Sequence, residues 1–374
     1  MTEITGRRIV STLTEDGTLT VELAPLTLAA PQKSQIAVLV EAAPINPSDL
    51  ALLLGTADME QARYMPGKIV ARMAEGVARA MKRRHGLPLP TGNECAGTVI
   101  AAGEDPVAQA LIGKRVGCVP GTAFATHALA DAHLAMILPD GITAEQGASC
   151  FVNPMTALGF VETMKREGFS GLVHTAAASN LGQMLVRICA DDGVPLVNIV
   201  RSPDQVGLLK ELGAEHALDS TAPGFTKALI AAIGATGAMM AFDPIRGGTI
   251  DSQILAAMEV AAQRANKDPG FSIYGSSVQK RLYVYGGLDL GPMIFQPGFD
   301  FAWQVGGWLL PYFLADASTE VTARMRARVQ AELTTTFASH YHAHVSLETM
   351  LTREAVSAYN ARRTGEKYLL LPNG

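Results

Sequence analysis

The sequence predicts an α/β protein, with a parallel sheet clad in helices in its second half and a mostly β region before it. Three observations predict this. Residues Leu172 to Ser202 read as strand, tight turn, helix and strand. From Phe151 onward, strand-like runs alternate with helical patterns at intervals of roughly 25 residues, the signature of a parallel sheet. Before that point, short runs of alternating apolar and polar residues are separated by Pro- and Gly-rich turns, the signature of strands joined by turns.

In chain order, Leu19 to Leu23 and Ile36 to Glu41 read as strands. Pro44 and Pro47 stiffen the next segment, and Ser48 or Asp49 can cap the short helix expected after it. Ile69, Met73, Val77 and Met81, spaced by four, predict a helix over 68–84, ending in the basic cluster Lys82-Arg83-Arg84-His85 as a solvated terminus. The turn Pro90 to Gly97 precedes a strand at Thr98 to Ile100, and strand-like runs continue to Leu138. In the second half, helices are expected at 205–212, 225–233, 252–262 and 320–333. Strands are expected at 215–218, 238–243, 272–274 and 282–287. Lys367 to Leu371 reads as a strand that returns to the first domain, because a lone strand cannot stand by itself.

The stretch from Leu172 to Ser202 carries the chemistry. Leu172-Val173 runs into the small-residue loop Ala176 to Asn180; Leu181-Gly182 opens the helix, and Gly193 is its C-cap. This is the layout of a dinucleotide site, where backbone N–H groups at a helix start face a pyrophosphate. Read as G-x-G-x-x-G, the three glycine positions hold Ala177, Ser179 and Gly182. Only the last is glycine, the one required for close helix–strand packing, and an ordinary buried βαβ unit is the alternative reading of the motif by itself. Arg201, nineteen residues past Gly182, adds direction. An acidic residue there would hold a ribose 2′-OH; Arg201 followed by Ser202 suits a 2′-phosphate, and therefore NADPH.

Composition excludes several classes. A chain of 374 residues with 48% hydrophobic content makes two domains the default and leaves ample core. The net charge of −5 gives no basic field for nucleic acid. The first residues, MTEITGRRIV, lack the apolar core of a signal peptide, and no apolar run is long enough to span a membrane. The closest such run, Phe301 to Ala317, is broken by Gly306-Gly307 and Pro311. The four cysteines are too scattered for a zinc ribbon or a disulfide framework, and free thiols suit the cytoplasm.

Several separated pieces together resemble one family. They are Ile45 to Asp49, Gly92-Asn93-Glu94, Val152 to Ala157, Ala176 to Gln183, Val200-Arg201, Leu212 to His216, Tyr285-Gly286-Gly287 and Gly365-Glu366-Lys367. Their order and spacing over nearly the whole chain resemble the zinc-independent medium-chain dehydrogenase/reductase superfamily, in its quinone oxidoreductase and enoyl-thioester reductase branch. The resemblance implies a GroES-like substrate domain over 1–152, completed by about 340–374, and a Rossmann NADPH-binding domain, doubly wound, over 153–339. Cofactor and active site would lie in the cleft between the two. It also implies roles. Asn153, with Thr156 in the same motif, would contact the nicotinamide part. Ala178, Ser179, Asn180 and Leu181 would line the pyrophosphate, and Arg201 and Ser202 the 2′-phosphate. Tyr285, Gly286, Gly287 and Leu288 would flank the nicotinamide, Trp308 and Leu309 would lie in the cleft, and Lys367 would close it. A homodimer acting on a small molecule is expected, with no membrane or nucleic-acid partner.

Two departures from the family matter. Zinc-dependent relatives carry a histidine where this chain has Asn93, and an amide is a poor zinc ligand, so no metal is expected. Family members also place a tyrosine, the proposed proton donor of enoyl-thioester reduction, where this chain has Ala57. Tyr64 stands seven residues on, either as a substitute acid or as a residue packed under the following helix. The segment 58–85 is longer than the family norm and would overhang the cleft. Quinone oxygens take protons from solvent, whereas an enoyl thioester needs a proton at its α-carbon. The missing tyrosine therefore tilts the expectation toward quinone or other activated-alkene reduction. A 2-enoyl-thioester reductase and an NADPH-binding protein without turnover are the alternatives. His340, His342 and His344 alternate on one face and read as solvated strand residues, and Cys118 and Cys150 read as core.

Overall fold

A computed structural model describes residues 3–266 and 273–374. The chain divides into two compact units, 1–152 with 326–374, and 153–325. The return to the first unit falls at Arg326, inside the helix Thr319–Ala331 rather than near 340.

The first unit is built on two sheets. One runs in spatial order Arg63–Met65, Lys68–Arg72, Thr18–Leu28, Ile4–Leu13 and Leu89–Pro90. The other runs Met136–Ile137, Arg115–Cys118, Cys95–Ala102, Gln35–Ile45, Tyr368–Leu370 and Ala343–Val345, with His127–Asp131 also paired to Gln35–Ile45. Ile9, Leu13, Leu19, Val21, Ile36 and Val38 are wholly buried in this unit's core. The C-terminal strand pairs antiparallel with the third strand, Tyr368 opposite Ile45. That register sets Lys367 beside the Asn46-Pro47-Ser48-Asp49 segment.

Three expectations need correction in this unit. The segment 68–84 is not one helix. Lys68–Arg72 is a strand paired to Thr18–Leu28, with Ile69 opposite Val21 and Ala71 opposite Leu19; only Glu75–Ala80 is α-helical. A spacing of four fits a strand face as well as a helix face, and Pro66-Gly67, with Gly67 at φ 66°, turns a hairpin there. The basic cluster is not wholly solvated: Arg84 is buried and donates to Ser11 Oγ and Leu52 O, each at 2.7 Å. The short helix Pro47–Leu53 has Asn46, not Ser48 or Asp49, at its N-cap.

The second unit holds a six-stranded, all-parallel sheet. Its strands are, in chain order, Leu172–His174, Leu196–Val200, His216–Asp219, Met240–Asp243, Lys280–Val284 and Trp303–Gly307. Numbered along the chain they lie in the order 3-2-1-4-5-6, the doubly wound Rossmann arrangement. Alternate residues of a strand face opposite sides. Ala241 joins one face, with Leu229, Ile233, Leu255 and Met258 of the helices Phe225–Thr236 and Ile250–Ala265. Phe242 joins the other, stacked on Phe160 of the helix Val152–Arg166 at 3.9 Å. Of the strand expected at 272–274, Ser272 lies outside the described residues, and Ile273-Tyr274 form a turn. The strand Trp303–Gly307 was not expected, because its glycines read as a break. The strand expected at 282–287 ends at Val284, so Tyr285, Gly286 and Gly287 follow it as loop.

Candidate functional site

In the second unit, the strand order reverses between Leu172–His174 and Met240–Asp243, and ligands of such sheets bind outside the carboxyl ends of the strands at that point. The chain leaves Leu172–His174 through Thr175, Ala176, Ala177, Ala178 and Ser179. Ala176 takes φ 49°, a left-handed conformation that costs alanine about 1–2 kcal/mol. Ser179 is the N-cap of the helix Asn180–Asp192, its hydroxyl accepting the Gly182 N–H at 3.2 Å. A Cβ on Gly182 would lie 2.1 Å from the Ala177 carbonyl oxygen, so only glycine lets the helix sit this close to the turn. The Gln183 N–H closes the first turn onto the Ser179 carbonyl oxygen at 2.9 Å, and a helix start of this kind favours an anion.

Arg201 follows the strand Leu196–Val200, the neighbour of Leu172–His174 in the sheet, and is exposed. Its N–H donates to Gln205 Oε1 at 3.1 Å. Ser202 caps the helix Pro203–Glu211, with its hydroxyl accepting the Gln205 N–H and keeping its own O–H to donate. Arg201 thus presents an exposed cation at this strand end, and Ser202 shapes the turn beneath it.

Beside the loop lies a buried polar group that the sequence did not reveal. Thr175 Oγ1 donates to Asp243 Oδ1, and Asp243 Oδ2 accepts the Arg246 N–H at 2.6 Å. Burial pushes the Asp243 carboxyl up, and burial with the nearby Asp243 charge pushes Asp251 up to about 7. His174 Nε2 shares a hydrogen bond with Tyr285 OH at 2.8 Å, and the two rings stack at 5.9 Å. Burial lowers His174 to about 3, so the imidazole is neutral at pH 7, and burial raises the Tyr285 phenol well above its ordinary range. Gly286 is packed so that a Cβ would meet the Pro244 carbonyl oxygen at 2.8 Å. Leu288 and Leu309 are exposed. Asn153 is half-buried and Thr156 buried in the helix Val152–Arg166. Trp308 departs from expectation. It is only 7% exposed, its ring packs edge-on against Phe160 at 4.9 Å, and its Nε1–H donates to Thr163 Oγ1 at 3.0 Å. Its ring is core.

The first unit holds a second polar cluster. Asp49 Oδ2 accepts the Asn46 N–H at 2.8 Å, and Asp49 Oδ1 accepts the Asn93 N–H at 2.7 Å. Glu94 accepts from Asn46 Nδ2 at 2.9 Å and from the N–H groups of Phe151 and Val152 at 3.1 and 2.8 Å. Burial pushes Asp49 up to about 7 and raises Glu94, against the pull of these donors. Lys367 supplies the opposing charge. Burial brings its ammonium down to about 8, while Glu94 and Asp49 hold it up. Lys367 Nζ donates to Ser149 Oγ at 2.6 Å, and Ser149 Oγ shares a 2.9 Å hydrogen bond with Tyr341 OH. Ser149 and Tyr341 are 192 residues apart, and no local pattern marks either one. Asn93 contributes its N–H, and its amide donates to Ser48 Oγ at 3.1 Å. Among the described residues no group of His, Cys, Asp and Glu side chains is arranged to hold a metal ion.

Tyr64 sits away from this cluster on the strand Arg63–Met65. Its hydroxyl donates to the Met59 carbonyl oxygen at 3.2 Å, and the Arg353 guanidinium lies over its ring at 4.5 Å. Arg353 also donates to Glu60 O and Ala62 O, which pins the 58–65 segment to the C-terminal helix Arg353–Asn360. The ring packs on the unit's core under Arg353, not under a helix over 68–84. Of the histidines, His344 lies 3.4 Å from Glu145, an acidic partner that the sequence did not reveal. All four cysteines are buried, and none is in a disulfide. No helix among the described residues is long and apolar enough to cross a membrane.

No family model matches the chain. Among curated proteins, human mitochondrial enoyl-[acyl-carrier-protein] reductase is 29% identical over 209 residues, 53% of this chain and 48% of the relative. A quinone oxidoreductase of Pseudomonas aeruginosa is 33% identical over 138 residues, 36% of this chain and 42% of the relative. The chain thus spans less than half the length of these relatives. Among solved structures, a Mesorhizobium loti protein assigned as an NADPH:quinone reductase matches with a TM-score of 0.74 at 24% identity, covering 98% of each chain. A mycobacterial protein solved with NADPH matches with a TM-score of 0.69 at 20% identity, covering 98% of this chain and 100% of that one.

Proposed function

We infer that this chain, which belongs with the quinone oxidoreductases and enoyl reductases of the zinc-independent medium-chain dehydrogenase/reductase superfamily, is an oxidoreductase that binds NADPH and reduces a quinone or another activated alkene. The observation that carries the reading is the turn 175–182 at the reversal point of the parallel sheet. The residues present fit a dinucleotide. Gly182 closes the helix onto the turn where any Cβ would collide, which supports a pyrophosphate at the helix start held by the backbone of Ala178, Ser179, Asn180 and Leu181. Arg201, exposed at the end of the next strand, has the charge and fork geometry for a 2′-phosphate, with Ser202 fixing its turn. The mycobacterial structure solved with NADPH supports the same cofactor.

Bound there, NADPH supplies a hydride. This chain's own residues supply position and dryness. Tyr285, held by His174 against Phe160, with Gly286 and Gly287 gives a rigid wall, and Asn153, Thr156 and Leu309 are the further candidates for lining it. Asn93 stands where zinc-dependent relatives carry a histidine, and an amide is a poor zinc ligand, so no step is assigned to a metal. The Tyr64 hydroxyl donates to Met59 O, which supports a packing role for it, and quinone oxygens can take their protons from water. A second reading, 2-enoyl-thioester reduction, is supported by the enoyl-[acyl-carrier-protein] reductases among the relatives.

The test is steady-state NADPH oxidation with a panel of quinones, simple enones and enoyl thioesters. Turnover of quinones or enones is the expected result. Tight NADPH binding with no turnover of any acceptor would leave a binding protein and refute the enzyme reading.

A further inference from the structure

The chemistry of alkene reduction needs a proton at carbon, and the first unit contains a phenol set up to give one. Tyr341 and Lys367 come from separate segments. Each lies just before one of two parallel-paired strands, Ala343–Val345 and Tyr368–Leu370. The His342 N–H donates to the Lys367 carbonyl oxygen at 2.7 Å, which ties the two segments together. Ser149 comes from a third segment and bridges them, 2.6 Å from Lys367 Nζ and 2.9 Å from Tyr341 OH. The ammonium also lies 5.6 Å from the Tyr341 ring. An ammonium only donates, so Ser149 Oγ accepts from Lys367. The serine hydrogen is then available to the Tyr341 oxygen, and the phenolic hydrogen is left for a third group. Behind Lys367 stand Glu94 and Asp49, which keep an otherwise desolvated ammonium charged.

We propose that Tyr341 is the acid that protonates the reduced alkene, with Ser149 and Lys367 as the relay that restores its proton. The proposal rests on the oxidoreductase reading above. A hydride brings two electrons to the β-carbon of an enone or enoyl thioester, and the π pair moves toward the α-carbon and carbonyl. The α-carbon takes the Tyr341 proton as the phenolic O–H bond breaks. Ser149 passes its proton to the phenolate and takes one from Lys367 Nζ, and neutral Lys367 recovers a proton from water. One hydride and one proton are consumed. Tyr341 would thus fill the role left vacant by Ala57, from the opposite end of the chain. The substrate class follows: activated alkenes with a prochiral α-carbon, in addition to quinones.

The experiment uses the full chain, NADPH and a 2-methyl-2-enoyl thioester. Wild type should give one configuration at the α-carbon. Tyr341→Phe keeps the ring beside Lys367 and removes the acid; its rate should fall on the order of 10²-fold, with both configurations formed as water delivers the proton. Tyr64→Phe, outside the machinery, should keep both rate and configuration. A second readout needs no turnover. With 3-fluorotyrosine at position 341, the ¹⁹F shift followed against pH should titrate at higher pH in Lys367→Met than in the wild-type background. Wild-type rate and a single configuration in Tyr341→Phe, or a ¹⁹F titration indifferent to Lys367→Met, would overturn the proposal. Wild-type protein inert toward every quinone and enone would overturn the oxidoreductase reading and this one with it; active wild type with an unaffected Tyr341→Phe overturns this one alone.

Discussion

Replacing Gly182 with alanine adds one methyl group at the tightest point of the 175–182 turn. That Cβ would lie 2.1 Å from the Ala177 carbonyl oxygen, 2.5 Å from its carbon and 2.8 Å from the Ala177 Cα. The opposing atoms are backbone, so no side-chain rotation relieves the contact. The helix Asn180–Asp192 must move off the turn by about an ångström to restore ordinary van der Waals separation. Leu181, Met184, Leu185 and Ile188 of that helix are buried and resist the move. Overpacking of this kind costs about 1–3 kcal/mol. In a domain of 150–250 residues each kcal/mol lowers Tm by roughly 2–4 °C. The same displacement pulls the first-turn N–H groups away from the pyrophosphate position. If one charge-assisted hydrogen bond is lost, NADPH affinity should fall by roughly tenfold or more. Thermal unfolding and a fluorescence titration with NADPH check the two effects together. Gly182→Ala with unchanged Tm and unchanged affinity would refute the packing logic and the assignment of the turn to the cofactor.

Other outcomes follow from buried charges. Lys280 Nζ lies 2.5 Å from Glu259 Oε2, and their side chains are 0% and 2% exposed, so Lys280→Met should cost about 3–5 kcal/mol by leaving Glu259 uncompensated. Adding Glu259→Gln should recover much of that loss in chemical denaturation; a Lys280→Met protein as stable as wild type would show the pair to be unimportant. Burial depresses His174 to about 3 from 6.5, so the unfolded chain binds the extra proton first as pH falls. Its contribution to stability is fully present above about pH 6.5 and is lost as pH falls toward 3, amounting to about 2 kcal/mol by pH 5. Urea denaturation at pH 7 and pH 5 should show that slope in wild type and a flatter one in His174→Gln; equal slopes would count against a buried neutral imidazole. Elemental analysis should find far less than one equivalent of zinc, and one bound equivalent would mean that Asn93 and its neighbours have been misread.

Much of this fold was legible because its signals are local. The unit Leu172 to Ser202 showed its strand, cap and C-terminal glycine in sequence order, and Ser179 and Gly193 stand at the two caps of the helix Asn180–Asp192. The hairpin at 63–72 was hidden because Ile69 and Met73 satisfy both helical and extended periodicity. The strand Trp303–Gly307 was hidden because its glycines read as breaks, yet as an edge strand it is paired on one side only. The partners within the polar clusters could not be read, although Asp49, Glu94 and Lys367 lie in legible motifs. Ser149, Tyr341 and Lys367 meet only because a C-terminal strand pairs with Gln35–Ile45, a contact across most of the chain. Thr175 and Asp243 meet because two parallel strands end side by side, which no spacing rule records. Trp308 directly follows the edge strand Trp303–Gly307, and Thr163 and Phe160 draw its ring into the core.

The central claim is that Arg201 and the 175–182 turn form an NADPH site, and cofactor discrimination tests it most directly. NADPH and NADH are titrated into wild type and Arg201→Ala, with dissociation constants read at one fixed ionic strength. A charge-assisted contact to a 2′-phosphate is worth about 1.5–3 kcal/mol. Wild type should therefore bind NADPH roughly ten- to a hundredfold more tightly than NADH, and Arg201→Ala should lose that preference while binding NADH as before. Equal affinity of the wild type for the two cofactors would contradict the account.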